Sequence, residues 1–93
     1  KGEFFMFRLW AKIFKENRML QDICIENPDN DTRTHKVFDA LEKACYEFDL
    51  GKPIWLDKTV AEFKRHAKAR FTQDNFIESI DFDYLELQVI EED

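Results

Sequence analysis

Glycine and proline are nearly absent from this 93-residue chain, two of each, and cysteine and histidine are equally scarce. So little glycine leaves poor material for a backbone cradle around phosphate. No glycine-rich loop, nucleophile elbow, zinc-protease helix or paired-cysteine motif occurs. Cys24 and Cys45 match no metal or redox spacing; each stands among apolar neighbours and reads as a small buried hydrophobe rather than half of a disulfide. His35 and His66 belong to no recognisable ligand set and read as exposed helix histidines. These shortages leave no cofactor, metal site or catalytic residue to assign.

A long hydrophobic run is missing too. Phe4-Phe5-Met6-Phe7-Arg8-Leu9-Trp10 is apolar at first sight, but it has no small-residue cleavage site, and Arg8 and Lys12 interrupt it well short of a membrane-spanning length. The expectation is a cytoplasmic protein with no membrane partner. Positive charge also disappears after Arg70: residues 71–93 carry eight carboxylates and no lysine or arginine.

What the chain does have is core material. The apolar share is 44% and the aromatic share 15%, with ten phenylalanines, against 37% charged residues. A chain of this length buries roughly 60–65% of its unfolded surface, enough for one modest core, so residues 1–93 are expected to form a single domain. This profile argues against disorder.

Residues 4–14 alternate. Phe5, Phe7, Leu9, Ala11 and Ile13 point one way, while Phe4, Met6, Arg8, Trp10, Lys12 and Phe14 point the other, which predicts a half-buried strand. Lys15-Glu16-Asn17-Arg18 supplies a tight turn, with Asn17 able to take positive φ. Met19 to Glu26 then reads as the returning strand of a hairpin, with Met19, Ile23 and Ile25 on one side. The cluster Pro28-Asp29-Asn30-Asp31 ends it, and Asp31 or Thr32 can cap the next helix.

Val37, Phe38, Leu41, Ala44, Cys45 and Phe48 recur at helical spacing as one apolar stripe. Gly51 suits the left-handed residue after the helix, and Pro53 prevents continuation. A second helix is predicted from about Thr59, where Thr59-Val60-Ala61-Glu62 matches a capping box, through Phe71. Thr72-Gln73-Asp74-Asn75 breaks it. Phe76 to Ile80 reads equally as a helical turn or the start of a strand. Leu85, Leu87 and Val89 alternating with Glu86, Gln88 and Ile90 make the last strand. The expected architecture is α+β in the order β-β-α-α-β, a three-stranded antiparallel sheet with two helices on one face and the last strand beside the first.

Two surfaces draw attention. Between residues 58 and 70, Lys58, Lys64, Arg65, Lys68 and Arg70 oppose Glu62 alone. On a helix, Lys58, Lys64, Arg65 and Lys68 would share the solvent side and could meet nucleic acid or another anion, although the net charge of −6 repels phosphate at long range. The outer face of the sheet is the second. An antiparallel sheet covered on one side usually has a polar outer face, yet this one would carry Met6, Trp10, Phe14 and Leu20 among Arg8, Lys12 and Asp22, together with Phe4, Cys24 and Ile90. Large apolar groups mixed with charges resemble a contact surface, most simply for a second copy of the chain or another protein. Asp81-Phe82-Asp83 could place two carboxylates on one strand face, but no third oxygen ligand has a matching spacing.

Phe7-Arg8-Leu9-Trp10-Ala11-Lys12, Lys36-Val37-Phe38-Asp39-Ala40-Leu41, Pro53-Ile54-Trp55-Leu56-Asp57-Lys58 and Gln73-Asp74-Asn75-Phe76-Ile77 together resemble a family of short bacterial proteins of unknown function. The resemblance spans nearly the whole chain. It implies a bacterial, cytoplasmic setting and no particular activity, cofactor or catalytic residue. Three function classes follow: a self-associating interaction module, an anion or nucleic-acid binder, and an enzyme of unrecognised type.

Overall fold

The computed structural model describes residues 7–27 and 32–91. The expectations for Phe4, Phe5, Met6 and the cluster at 28–31 lie outside the described residues. Strand β1 (Phe7–Lys15) returns as β2 (Arg18–Asn27) through Glu16 and Asn17, whose φ values of 53° and 65° are both positive, as a two-residue type I′ hairpin turn demands. Helix α1 (Arg33–Glu47) follows, capped by the Thr32 hydroxyl, which accepts from the His35 N–H at 3.2 Å. Then come α2 (Asp57–His66), β3 (Lys68–Phe71), a single 3-10 turn (Gln73–Asn75) and β4 (Tyr84–Glu91).

Among the described residues the fold is α+β with two helices and an antiparallel sheet, but the sheet has four strands in the order β2-β1-β4-β3, not three. The last strand does pair with the first, as its long apolar alternation requires. The extra strand is β3, cut from what the sequence predicts to be the end of the second helix. Ala67 adopts a left-handed conformation (φ 56°) directly after α2 and turns the chain. Its N–H donates to the Phe63 carbonyl at 2.8 Å, and its own carbonyl accepts from the Val89 N–H at 2.9 Å, so one residue closes the helix and opens the sheet pairing. Beyond it, Ala69 and Phe71 point into the core while Lys68 and Arg70 point away. The edge is partly sealed by the Glu62 carboxylate, which accepts from the Arg70 N–H at 3.3 Å.

Both helix ends differ from expectation. Helix α1 closes in a Schellman motif: the Leu50 N–H reaches the Cys45 carbonyl at 2.8 Å and the Asp49 N–H the Tyr46 carbonyl at 3.2 Å. Its left-handed residue is Asp49 (φ 60°), not Gly51. Gly51 serves instead for close approach, its N–H donating to Glu78 Oε1 at 2.7 Å. Helix α2 starts at Asp57, without a capping box at Thr59. Thr59 lies buried in the first turn, where its hydroxyl accepts from Asn75 Nδ2 at 2.9 Å.

Asn75 is the polar anchor of the loops. Its Nδ2 also donates to the Ile54 carbonyl at 2.8 Å, its Oδ1 accepts from the Thr72 N–H at 3.0 Å, and its carbonyl accepts from the Ile54 N–H at 2.6 Å. Residues 76–83 are neither helix nor strand. They carry Phe76 and Phe82 into the core edge to face, ring centroids 6.0 Å apart. The Gln73 side chain closes this loop by donating to the Glu78 carbonyl and accepting from the Ile80 N–H.

The core lies between the helices and the inner sheet face. Phe7, Leu9, Ile13, Phe71, Leu85 and Leu87 come from the strands, Val37, Leu41 and Cys45 from α1, and Phe63 from α2. Alanines 11, 40, 44 and 69 are also buried, which lets helix and sheet backbones approach closely. Phe38, expected in the apolar stripe, stays 49% exposed.

Candidate interaction face of the sheet

Helices cover the sheet face bearing Leu9 and Leu87; among the described residues, no helix lies over the opposite face. Segment 52–57 does not cover it either, because Trp55 packs edge to face on Phe63 and Phe71, on the helical side. Directly opposed residues of neighbouring strands share a face, and the register therefore writes the outer face row by row.

The middle row runs through all four strands as Asp22, Lys12, Glu86 and Arg70. Its charges alternate from edge to edge and cancel, in a chain whose net charge is −6. Lys12 Nζ stands 3.0 Å from Glu86 Oε1 and donates to Gln88 Oε1 at 2.9 Å, while Arg70 Nε lies 3.5 Å from Glu86 Oε2. Aromatic rings pack over the charges. The Lys12 ammonium sits 3.9 Å from the Trp10 ring centroid, and the Trp10 indole N–H donates to Asp22 Oδ2 at 2.8 Å. The Arg70 guanidinium lies 4.7 Å from the Tyr84 ring, which stacks on Phe14 at 5.2 Å.

This weave leaves Lys12 only 7% and Glu86 only 6% exposed on a face that no helix of the described residues covers. Among the described residues, no buried side-chain nitrogen or oxygen lacks a hydrogen-bond partner. Lys12 is thus engaged by Trp10, Glu86 and Gln88 of its own chain.

Of the residues expected here, Arg8, Trp10, Lys12, Phe14 and Asp22 do share the face, and Arg8 pairs with Glu26 of its own chain at 3.3 Å. Met6 lies outside the described residues. Leu20 occupies a bulge: the pairing steps from Ile13↔Gln21 to Phe14↔Met19 and leaves Leu20 unmatched and exposed. The bulge shifts the phase of β2, so Met19 stands opposite Phe14 rather than on the inner side with Ile23 and Ile25. A second bulge, between Arg8 and Leu9, does the same to the exposed Ile90 on β4. Cys24 is exposed opposite Trp10, whereas Cys45 is buried, with its thiol pushed up to about 11 by desolvation and slightly offset by the nearby Lys52.

The second set of candidates is divided. Lys58, Lys64 and Arg65 remain on α2, but Lys68 belongs to β3 and points from the outer face, away from the helix. Lys58 lies 3.8 Å from Asp74. Asp81 and Asp83 precede β4 instead of lying on it; Asp83 Oδ2 accepts from the Glu16 N–H at 2.8 Å and steadies the hairpin turn. His35 and His66 are exposed on their helices. The sequence reading missed Arg70 and Tyr84 as members of the outer face. The one available signal for Arg70 was the alternation across Lys68-Ala69-Arg70-Phe71, four residues long.

No helix among the described residues is long and apolar enough to cross a membrane. No family model, curated protein or solved structure matches the chain.

Proposed function

We propose that this chain is a protein-interaction module that self-associates, two copies meeting through the outer faces of their sheets. The observation that carries this reading is the alternating row Asp22, Lys12, Glu86, Arg70. A two-fold axis running along the strands, between the central pair β1 and β4, reverses the row. It sets Asp22 of one copy over Arg70 of the other and Lys12 over Glu86, so every sign meets its opposite, and it brings Phe14 over Tyr84. An axis running along the row would place like charge on like charge. One of the two face-to-face arrangements is therefore favoured and the other disfavoured by the same four residues.

The charges most costly to dehydrate, Lys12 and Glu86, are already buried within the monomer, so docking removes little further water from them. Four strands about 4.8 Å apart and about eight residues long present about 500 Å² per copy. The resulting total of about 1,000 Å² lies at the lower edge of specific interfaces and corresponds to a reversible dimer. The family resemblance supports a bacterial cytoplasmic setting for it.

Sedimentation equilibrium across micromolar concentrations tests the proposal. The wild type should show concentration-dependent dimerisation. Asp22→Arg should weaken it and Asp22→Arg/Arg70→Asp restore it, while Trp10→Glu should give a folded monomer. A wild type that stays monomeric at high micromolar concentration overturns the proposal; a double variant no better than Asp22→Arg overturns the assigned axis.

A further inference from the structure

The two edges of the sheet are unlike. Strand β3 has four residues, and its Arg70 N–H is already taken by the Glu62 carboxylate. Strand β2 has ten, and beyond the bulge at Leu20 the run Gln21-Asp22-Ile23-Cys24-Ile25-Glu26 pairs with β1 without interruption. Among the described residues no strand pairs with its other side. Every second residue of the run therefore turns its N–H and C=O to an open edge, and the run holds no lysine or proline to discourage pairing.

Helix α1 packs over β1 and β2, and between it and the β2 edge runs a groove of about 510 Å³. Ile23 and Ile25 form its floor. Its wall is the face of α1 that carries Asp39, Glu42, Lys43, Tyr46 and Glu47, three carboxylates against one ammonium. Tyr46 is 82% exposed beside this apolar floor. Glu42 is drawn to Lys52 at 3.7 Å, so Asp39 and Glu47, both exposed, are the carboxylates an occupant meets.

An edge strand beside a helix can seat an added strand, main-chain bonds supplying affinity and the groove selecting alternate side chains. An apolar floor under an acidic wall selects side chains with an aliphatic stem and a cationic end. Eight residues of helix place Asp39 and Glu47 about 12 Å apart along its axis. Side chains four apart in an extended strand stand about 13 Å apart on one face. The residue between them faces Lys43, which favours an uncharged side chain there.

We propose that the free edge of β2 binds an extended segment of a partner protein as a fifth strand, with basic, apolar and basic residues at successive alternate positions facing the groove. The two cations meet Asp39 and Glu47, and the apolar side chain lies against Ile23, Ile25 and Tyr46. The net charge of −6 draws such a segment in from a distance. This edge is not the outer face of the sheet, so the proposal does not rest on the dimer and either can stand alone.

The test titrates three end-blocked heptapeptides into the isotopically labelled full chain, followed by amide NMR. The first is Thr-Arg-Thr-Val-Thr-Arg-Thr, the second replaces both arginines by glutamate, and the third reorders the first so that the arginines are adjacent. The first should bind saturably, with a dissociation constant on the order of 0.1 mM for so short a strand. At about ten times that concentration, alternate amides between Gln21 and Glu26 should exchange about tenfold more slowly. The reordered peptide, of identical charge, should bind several-fold more weakly, and the glutamate peptide should not bind. Asp39→Asn/Glu47→Gln alters two exposed side chains and should weaken the first peptide about two- to twentyfold, the range of two exposed ion pairs. No saturable binding, equal affinity for the ordered and reordered peptides, or binding without added protection in β2 overturns the proposal. So does a peptide affinity that falls as protein concentration rises, because a second copy of the chain would then occupy the edge.

Discussion

Lys12 and Glu86 face each other across the two central strands, Nζ to Oε1 3.0 Å apart, and both are buried although they stand on the side of the sheet away from the helices. Removing one member leaves the other desolvated, whereas replacing both by apolar groups does not. Lys12→Met should therefore destabilise the fold by about 3 kcal/mol, with Arg70 only partly compensating, while Lys12→Met/Glu86→Leu should lie within about 1 kcal/mol of wild type. Urea unfolding of the four members of this double-mutant cycle measures the coupling.

Asn75 should be the least replaceable polar residue. Its side chain joins the Ile54 carbonyl, the Thr59 hydroxyl and the Thr72 N–H while itself 1% exposed. Asn75→Ala leaves those partners unsatisfied and should cost about 2–4 kcal/mol. Asn75→Asp keeps the shape but sets a carboxylate oxygen against the Ile54 carbonyl, and should cost as much at neutral pH. Thr59→Val removes one bond and should cost about 1 kcal/mol. Thermal unfolding monitored by circular dichroism ranks the three.

Ala67 holds a left-handed conformation that an alanine adopts only at a cost. Ala67→Gly should raise stability by about 0.5–1 kcal/mol, a rise in Tm of about 2–8 °C for a domain of this size. Ala67→Val, β-branched at the same φ, should lower it. If glycine also lowers stability, entropy gained by the unfolded chain outweighs the strain relieved.

The raised titration of Cys45 makes stability depend on pH in the alkaline range. An unfolded thiol titrates near its ordinary value of 9.0, while the buried Cys45 retains its proton until about 11. Between those values the unfolded state releases a proton that the native state keeps, so raising the pH favours unfolding. Stability should be unaffected by this group below pH 9, decline from there, and stop declining on its account near pH 11. Cys45→Ala should flatten that stretch of a urea-midpoint-against-pH curve. In the native protein at pH 8, iodoacetamide should modify the exposed Cys24 and spare Cys45.

Elements written in local, repeated patterns were legible in the sequence. Period-two alternation gave β1 and β4, the polar stretch Lys15-Glu16-Asn17-Arg18 gave the hairpin, and the apolar stripe after a cap at Asp31 or Thr32 gave α1, the structure choosing Thr32. Each pattern extends over several residues, so the backbone preference, the burial and the turn chemistry agree. Trp10, Lys12, Phe14 and Asp22 were likewise assignable to one face, because alternation fixes the side even where partners are unknown.

The rest depended on contacts between distant segments. Four residues from Lys68 to Phe71, one alanine and two cations among them, carry a local preference for helix; pairing with β4 overrides it. The turn that permits this is made by an alanine, and nothing in an alanine announces positive φ as glycine would. Asp49 hid the end of α1 in the same way. The bulges at Leu20 and Ile90 appear only when two strands are laid side by side, because a bulge is a mismatch between partners and not a property of one strand. The row Asp22, Lys12, Glu86, Arg70 joins residues from four strands, and its alternating sign came into being only when the tertiary fold set the register. By itself the sequence determined the outward side of β1; the tertiary structure decided the rest of the face and which residues meet on it, because strand pairing joins residues that the chain holds far apart.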